Sequence, residues 1–204
     1  MTHLAAGLIG YLLGSLPTAE RIARSAGVSL RTEGSGNPGA NNARRLGGWS
    51  LAVTILVVEA AKSATAVWVG SVLGGQSAMA VAGVAAVLGN VANIWYRMAG
   101  GKGLGATLGV LLAATPMLAL IGLLVIGVLV WLIRSSGRAA LGAMAVLLAV
   151  SLFTPGIALV GPWGLDTAGP LTGLVVGLSM VLAPRHLIDA RMPSQTLSED
   201  PSAF

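Results

Sequence analysis

Between Lys102 and Arg134 the chain carries no ionisable side chain, and residues 104–133 form one apolar run interrupted by Pro116. As a single straight helix that run would measure ~45 Å at ~1.5 Å per residue. A bilayer core is only ~30 Å thick, and proline breaks a helix interior. The run therefore reads as two helices, about 104–115 and 117–134. Comparable apolar runs occur at about 4–24, 50–72, 77–97, 139–160 and 168–184, each near the ~20 residues that a membrane span needs. Charged residues make up 9% of the 204 and hydrophobic ones 55%, with a mean hydropathy of +0.84. This composition excludes a soluble domain and predicts an all-α integral membrane protein. One polytopic domain is expected over 1–192, followed by a polar, disordered C-terminal tail over 193–204. The first apolar run has no basic stretch ahead of it, so it reads as a retained helix and not a cleaved signal.

The cations fix the orientation. Arg21, Arg24, Arg31, Arg44 and Arg45 follow the first helix, Arg97 and Lys102 the third, Arg134 and Arg138 the fifth, and Arg185 and Arg191 the seventh. Seven helices with the N-terminus outside and the C-terminus cytoplasmic place all these loop cations inside, as the positive-inside rule requires. Joining 104–133 into one span would put Arg134 and Arg138 outside. The net charge of +5 then reflects topology and anionic lipids or substrates, and no nucleic acid is implied. With no cysteine there is no disulfide, thiol nucleophile or cysteine metal site, and His3 and His186 lie too far apart to suggest a metal centre. Most of the 29 glycines suit close helix packing in lipid. Trp95, Tyr96, Trp131 and Trp163 fall near predicted helix ends, as interfacial anchors do.

Two polar loops break this pattern. Gly34-Ser35-Gly36-Asn37-Pro38-Gly39-Ala40-Asn41-Asn42-Ala43-Arg44-Arg45 sets three glycines among short hydrogen-bonding side chains. Such a backbone can fold its N–H groups into an anion-binding concavity, and Arg45 can fork onto a phosphate. Gly100-Gly101-Lys102-Gly103 is a second glycine-rich loop with a cation, opening an apolar helix whose N-terminus attracts anions. It is not a Walker A loop, since no Ser or Thr follows Lys102. The predicted topology puts both loops on the cytoplasmic face. Glu59 and Lys62 are the ionisable pair deep in a predicted helix, three residues apart and hence on one face. They read either as a self-neutralising structural pair or as a group facing substrate.

These two loops, at this separation, resemble the bacterial acyl-phosphate:glycerol-3-phosphate acyltransferases, the PlsY family. Gly14-Ser15, Glu59, Lys62, Ser136-Gly137 and Leu141-Gly142 also fall at that family's spacings. There are departures. Glu59 stands where the family usually has Asp, Asn90 where it has His, and Asn93 where it has Pro. Leu104-Gly105-Ala106 replaces Val-Ala-Thr, with Thr107 able to supply the displaced hydroxyl. The family has a third motif just after the last predicted helix; there His186 is in place, but Asp189 stands for Asn, exchanging an amide for a carboxylate that only accepts.

The resemblance implies transfer of an acyl group from acyl phosphate to sn-glycerol 3-phosphate, giving lysophosphatidic acid and phosphate at the start of phospholipid synthesis. It implies the inner membrane, an active site facing the cytoplasm, and no metal, nucleotide or coenzyme A. The expected partners are the two substrates and membrane lipid, with no obligatory protein partner. The expected catalytic residues are Ser35, Asn37, Arg45, Lys102 and His186. Gly34, Gly36, Gly39, Asn42, Lys62, Gly100, Gly101 and Gly103 are expected around substrate phosphate. No Ser-His-Asp order or nucleophile elbow is present, and an activated acyl donor needs mainly positioning and charge stabilisation. The rival readings are a transporter of a small anionic or phosphorylated solute, which Glu59 and Lys62 favour, and a family relative without catalysis.

Overall fold

The computed structural model describes residues 1–153 and 168–191; Trp163, Asp166 and the tail over 193–204 lie outside them. Among the described residues every regular element is helical: α1 (Thr2–Ser15), α2 (Thr18–Ser25), α3 (Ala40–Val91), a 3-10 turn (Ile94–Tyr96), α4 (Leu104–Ala114), α5 (Pro116–Ile133), α6 (Ser136–Phe153) and α7 (Ala168–Arg191). The α3 stretch is three segments, 40–47, 49–73 and 76–91 (α3a, α3b and α3c), because Gly48, Gly74 and Gly75 leave helical geometry. Gly48 and Gly75 take φ of 78° and 67°, which glycine adopts without the steric cost other residues meet. At Gly74–Gly75 the chain doubles back. A Cβ on Gly70 would lie 2.7 Å from Ala78 O, and Glu59 of α3b bonds Asn90 of α3c.

Four helical stretches are long and apolar enough to cross a membrane: the α3 region, α5, α6 and α7. The break at Thr115–Pro116 stands where the sequence predicts it, with Pro116 at the first helical position of α5, where its missing N–H costs nothing. Four expected boundaries move. The first helix, expected over 4–24, ends at Ser15: Leu16 is extended at ψ 127°, as a residue before proline tends to be. The chain then restarts after Pro17 as the separate α2. The second helical stretch, expected from 50, begins at Ala40 as α3a, so Asn42 and Arg45 are borne on a helix. The third helix, expected to reach residue 97, ends at Val91. The last helix, expected to end at 184, runs through Pro184 to Arg191, so His186 and Asp189 are borne on a helix.

Small residues set the packing. A Cβ on Gly14 of α1 would come within 2.6 Å of the Ala86 carbonyl carbon of α3c, and one on Gly109 of α4 within 2.6 Å of that of Ala60 of α3b. The main core joins Val67, Val87, Val110, Leu118, Leu174 and Leu182 from α3b, α3c, α4, α5 and α7. A second core of Ala19, Ala23, Leu30, Ala43, Leu51 and Ile55 fastens α2 and the first glycine loop onto α3a and α3b. Large apolar side chains such as Leu120, Leu124, Trp131 and Phe153 stay exposed, as suits a surface facing lipid.

Candidate active site

The first glycine loop is held from within. Gly34 and Gly36 take φ of 59° and 68°. Asn42 is buried; its Oδ1 accepts from the Ser35 N–H at 2.9 Å, and its Nδ2 donates to Leu30 O at 3.0 Å and to Glu33 O at 3.1 Å. Asn42, expected near a phosphate, has its amide engaged with the loop backbone in this structure. The N–H groups of Gly36 and Gly39 are bonded to Glu33 O and Asn37 O. The expected concavity of free N–H groups is therefore partly closed. The side chains of Ser35, Asn37 and Arg45 have no hydrogen-bond or ionic partner among the described residues, and Ser35 and Arg45 are exposed. Arg44 instead lies over the Trp49 ring, 5.1 Å from its centre.

The second loop is likewise tied down. The Gly100 and Gly101 N–H groups donate to Val91 O at 2.9 Å and Asn90 O at 3.0 Å, capping the end of α3c. Both N–H groups, expected around substrate phosphate, are engaged with backbone carbonyls in this structure. Gly103, at φ 82°, caps the start of α4. A Cβ there would press on Leu182 and Val91, so Gly103 serves close packing. The two loops meet: a Cβ on Gly101 would lie 3.7 Å from Pro38 O and 3.8 Å from Asn37 Oδ1. Lys102 pairs with Asp189 of α7 at 2.6 Å. His186, one turn before Asp189, is fully buried. Neither ring nitrogen has a hydrogen-bond partner of good geometry, although the Lys102 backbone lies near enough to interact.

Beneath the loops lies a narrow cleft of about 10 Å³, room for roughly one water, lined by Leu16, Thr18, Pro38, Glu59, Tyr96 and Gly101 among others. At its inner end Glu59 Oε1 accepts from the Thr18 hydroxyl at 2.6 Å and from Lys62 Nζ at 2.9 Å, while Oε2 accepts from Asn90 Nδ2. Lys62 also donates to Leu16 O at 2.8 Å and lies 3.2 Å from the Thr18 hydroxyl. An ammonium has three donors, and Lys62 spends its own on protein. Lys62, expected at substrate phosphate, is engaged with protein in this structure. Asn90, where the resembled family has His, is thus a ligand of the buried carboxylate. Asn93, where that family has Pro, donates to Ser15 O at 2.8 Å and accepts from Trp95 N at 3.0 Å, joining the end of α1 to the 3-10 turn.

Sequence reasoning missed several residues here. Arg31 stacks 4.1 Å over the Tyr96 ring centre and donates to Ala99 O at 2.7 Å. Arg185 donates to Val91 O at 3.2 Å and Met98 O at 3.3 Å. The sequence counts both among its topology charges, yet they brace the second loop. Thr18 carried one signal, its place directly after the helix-breaking Pro17.

Comparison with known proteins identifies this arrangement. Residues 4–191 match the protein family described as glycerol-3-phosphate acyltransferase. Relatives carrying that name include one from Agrobacterium fabrum, 41% identical over 70% of this chain and 70% of its own length. Another, from Laribacter hongkongensis, is 34% identical over 91% of this chain and 90% of its own. The fold is similar to the crystal structure of PlsY, an integral membrane glycerol 3-phosphate acyltransferase, in its glycerol 3-phosphate form. That match has a TM-score of 0.75 at 27% identity, over 93% of this chain and 90% of that one. Its lysophosphatidic acid form matches at a TM-score of 0.74 and 26% identity.

Proposed function

The chain belongs to the glycerol-3-phosphate acyltransferase family and is an acyltransferase of the PlsY type, and from that premise we propose how its own residues carry the reaction. Acyl phosphate is an activated donor. The acceptor hydroxyl of sn-glycerol 3-phosphate attacks the acyl carbonyl, the new ester C–O bond forms, the acyl C–O bond to phosphate breaks, and the hydroxyl proton leaves on the departing phosphate. The protein has to hold two anions close together and stabilise the charge on the carbonyl oxygen.

The observation that carries the site reading is the meeting of the two glycine loops at Asn37, Pro38 and Gly101. Asn37 stands at that meeting, and the side chains of Ser35, Asn37 and Arg45 have no protein partner among the described residues. In this reading Arg45 and Lys102 grip substrate phosphate, Ser35 and Asn37 orient the reacting groups, and buried His186 bonds a phosphate or the acceptor. The first-turn N–H groups of α3a and α4 add the anion preference of helix N-termini. Glu59 and Lys62 shape the inner wall of the cleft and do not touch substrate.

We further place the protein in the bacterial inner membrane with the loops facing the cytoplasm. The membrane domain then crosses seven times, through α1, α3b, α3c, α4, α5, α6 and α7, N-terminus outside. Support comes from the reversal at Gly74–Gly75 and from the cations gathered at the loop end. Purified protein given acyl phosphate and labelled sn-glycerol 3-phosphate should yield labelled lysophosphatidic acid. Product formed from acyl-CoA alone would refute the donor assignment. No product together with solute uptake into proteoliposomes would point to transport.

A further inference from the structure

Two lysine–carboxylate pairs flank the proposed site, and they differ in kind. The Glu59–Lys62 pair is closed, with side chains 7% and 8% exposed and further hydrogen bonds on both partners. The Lys102–Asp189 pair is open: the side chains are 34% and 25% exposed, and Nζ and Oδ2 stand 2.6 Å apart. No further hydrogen-bond partner of the Asp189 carboxylate occurs among the described residues. Water reaches this pair, so exchanging one of its ions costs little.

The place Asp189 occupies also suits an anion. Its Cβ would lie 3.0 Å from a Cβ built on Gly137, at the start of α6, and a helix start favours negative charge. Thus a lysine and a helix N-terminus converge on one carboxylate beside the second glycine loop.

We propose that Asp189 is an internal stand-in for substrate phosphate. It holds Lys102 while the site is empty and gives it up when a phosphorylated substrate arrives. Asp189 then sets the apparent affinity for anionic substrates without touching them, and acts as a positioning residue for Lys102. The inference rests on the reading of Lys102 as a phosphate-gripping cation. An internal competitor weakens apparent binding by the fraction of molecules in which it holds the cation.

The test is steady-state kinetics on the full chain in detergent. Asp189→Asn should lower the KM for sn-glycerol 3-phosphate by about two- to fivefold, in line with an exposed pair given up on binding, and leave kcat within about twofold. Inhibition by inorganic phosphate should tighten in step. A merely structural clamp predicts the opposite sign, since a loosened loop raises KM. An unchanged or raised KM in Asp189→Asn overturns the proposal. Should that variant not fold, as read by thermal unfolding, Asp189→Ser is judged by the same criteria. Lys102→Gln separates the two layers. If it leaves KM at the wild-type value, the reading of Lys102 itself fails. If it raises KM while Asp189→Asn does not lower it, the Asp189 inference alone fails.

Discussion

Removing one member of the Glu59–Lys62 pair should cost far more than removing both. In Lys62→Met the stem keeps its length, and the Glu59 carboxylate, 7% exposed, keeps two neutral donors, Thr18 and Asn90. The lost ammonium contact at 2.8–2.9 Å leaves a buried charge uncompensated. The expected penalty is about 3–5 kcal/mol. For a chain of this size it lowers the unfolding midpoint by on the order of 10 °C. Glu59→Gln strands the ammonium with Leu16 O and the Thr18 hydroxyl and should cost a similar amount. The double variant Glu59→Gln/Lys62→Met strands no charge. It should recover at least ~1.5 kcal/mol relative to the sum of the singles. Unfolding followed by tryptophan fluorescence in detergent measures all three. Additivity within about 0.5 kcal/mol would refute the reasoning, because partners that do not couple are not a pair. Turnover supplies the second readout. If the pair is structural, the double variant recovers activity along with stability. Restored stability with turnover still lost would return Lys62 to the substrate.

Two further outcomes are expected. Arg45→Lys keeps the charge but loses the planar fork and should cost roughly five- to tenfold in rate or affinity, about 1 kcal/mol or more. Ser35→Ala should slow turnover with little change in unfolding, whereas Arg44→Lys, over Trp49 and away from the loop contacts, should stay near wild type; wild-type rates for all three would reduce the loop to a turn. For topology, single cysteines at Ser35, Lys102 and Ser136 should label from the cytoplasmic side and one at Gln76 from outside, and outside labelling of Ser136 would remove the seven-crossing arrangement.

Much of this protein is legible in its chain because the deciding physics is local. An apolar run too long for one span with a proline inside must break, and it does so at Thr115–Pro116. A proline also ends α1 at Leu16; that signal was present in Pro17 but hidden by the apolar residues around it. Two glycine-rich polar loops stand out in a lipid-soluble chain, and the structure brings them together at Pro38 and Gly101; an anion as their ligand is the proposal drawn from their residue types.

What each polar group does was decided only by tertiary structure. Asn42 and Ser35 look alike in sequence, yet one is consumed inside the loop and the other is free. Lys62 and Lys102 are both lysines near a carboxylate, but burial closes one pair and exposure leaves the other open to exchange. The contacts responsible, Glu59 to Asn90 and Lys102 to Asp189, join residues 31 and 87 positions apart. The first depends on the reversal at Gly74–Gly75. The second depends on α7 continuing past Pro184, which a buried bundle allows because neighbouring groups can satisfy the freed backbone. Helix register across such distances is set by which small residues let backbones approach, such as Gly14 against Ala86 and Gly109 against Ala60. Spacing along the chain carries no record of that choice, whereas composition and local backbone chemistry fix the membrane class and the breaks before any helix has met its neighbour.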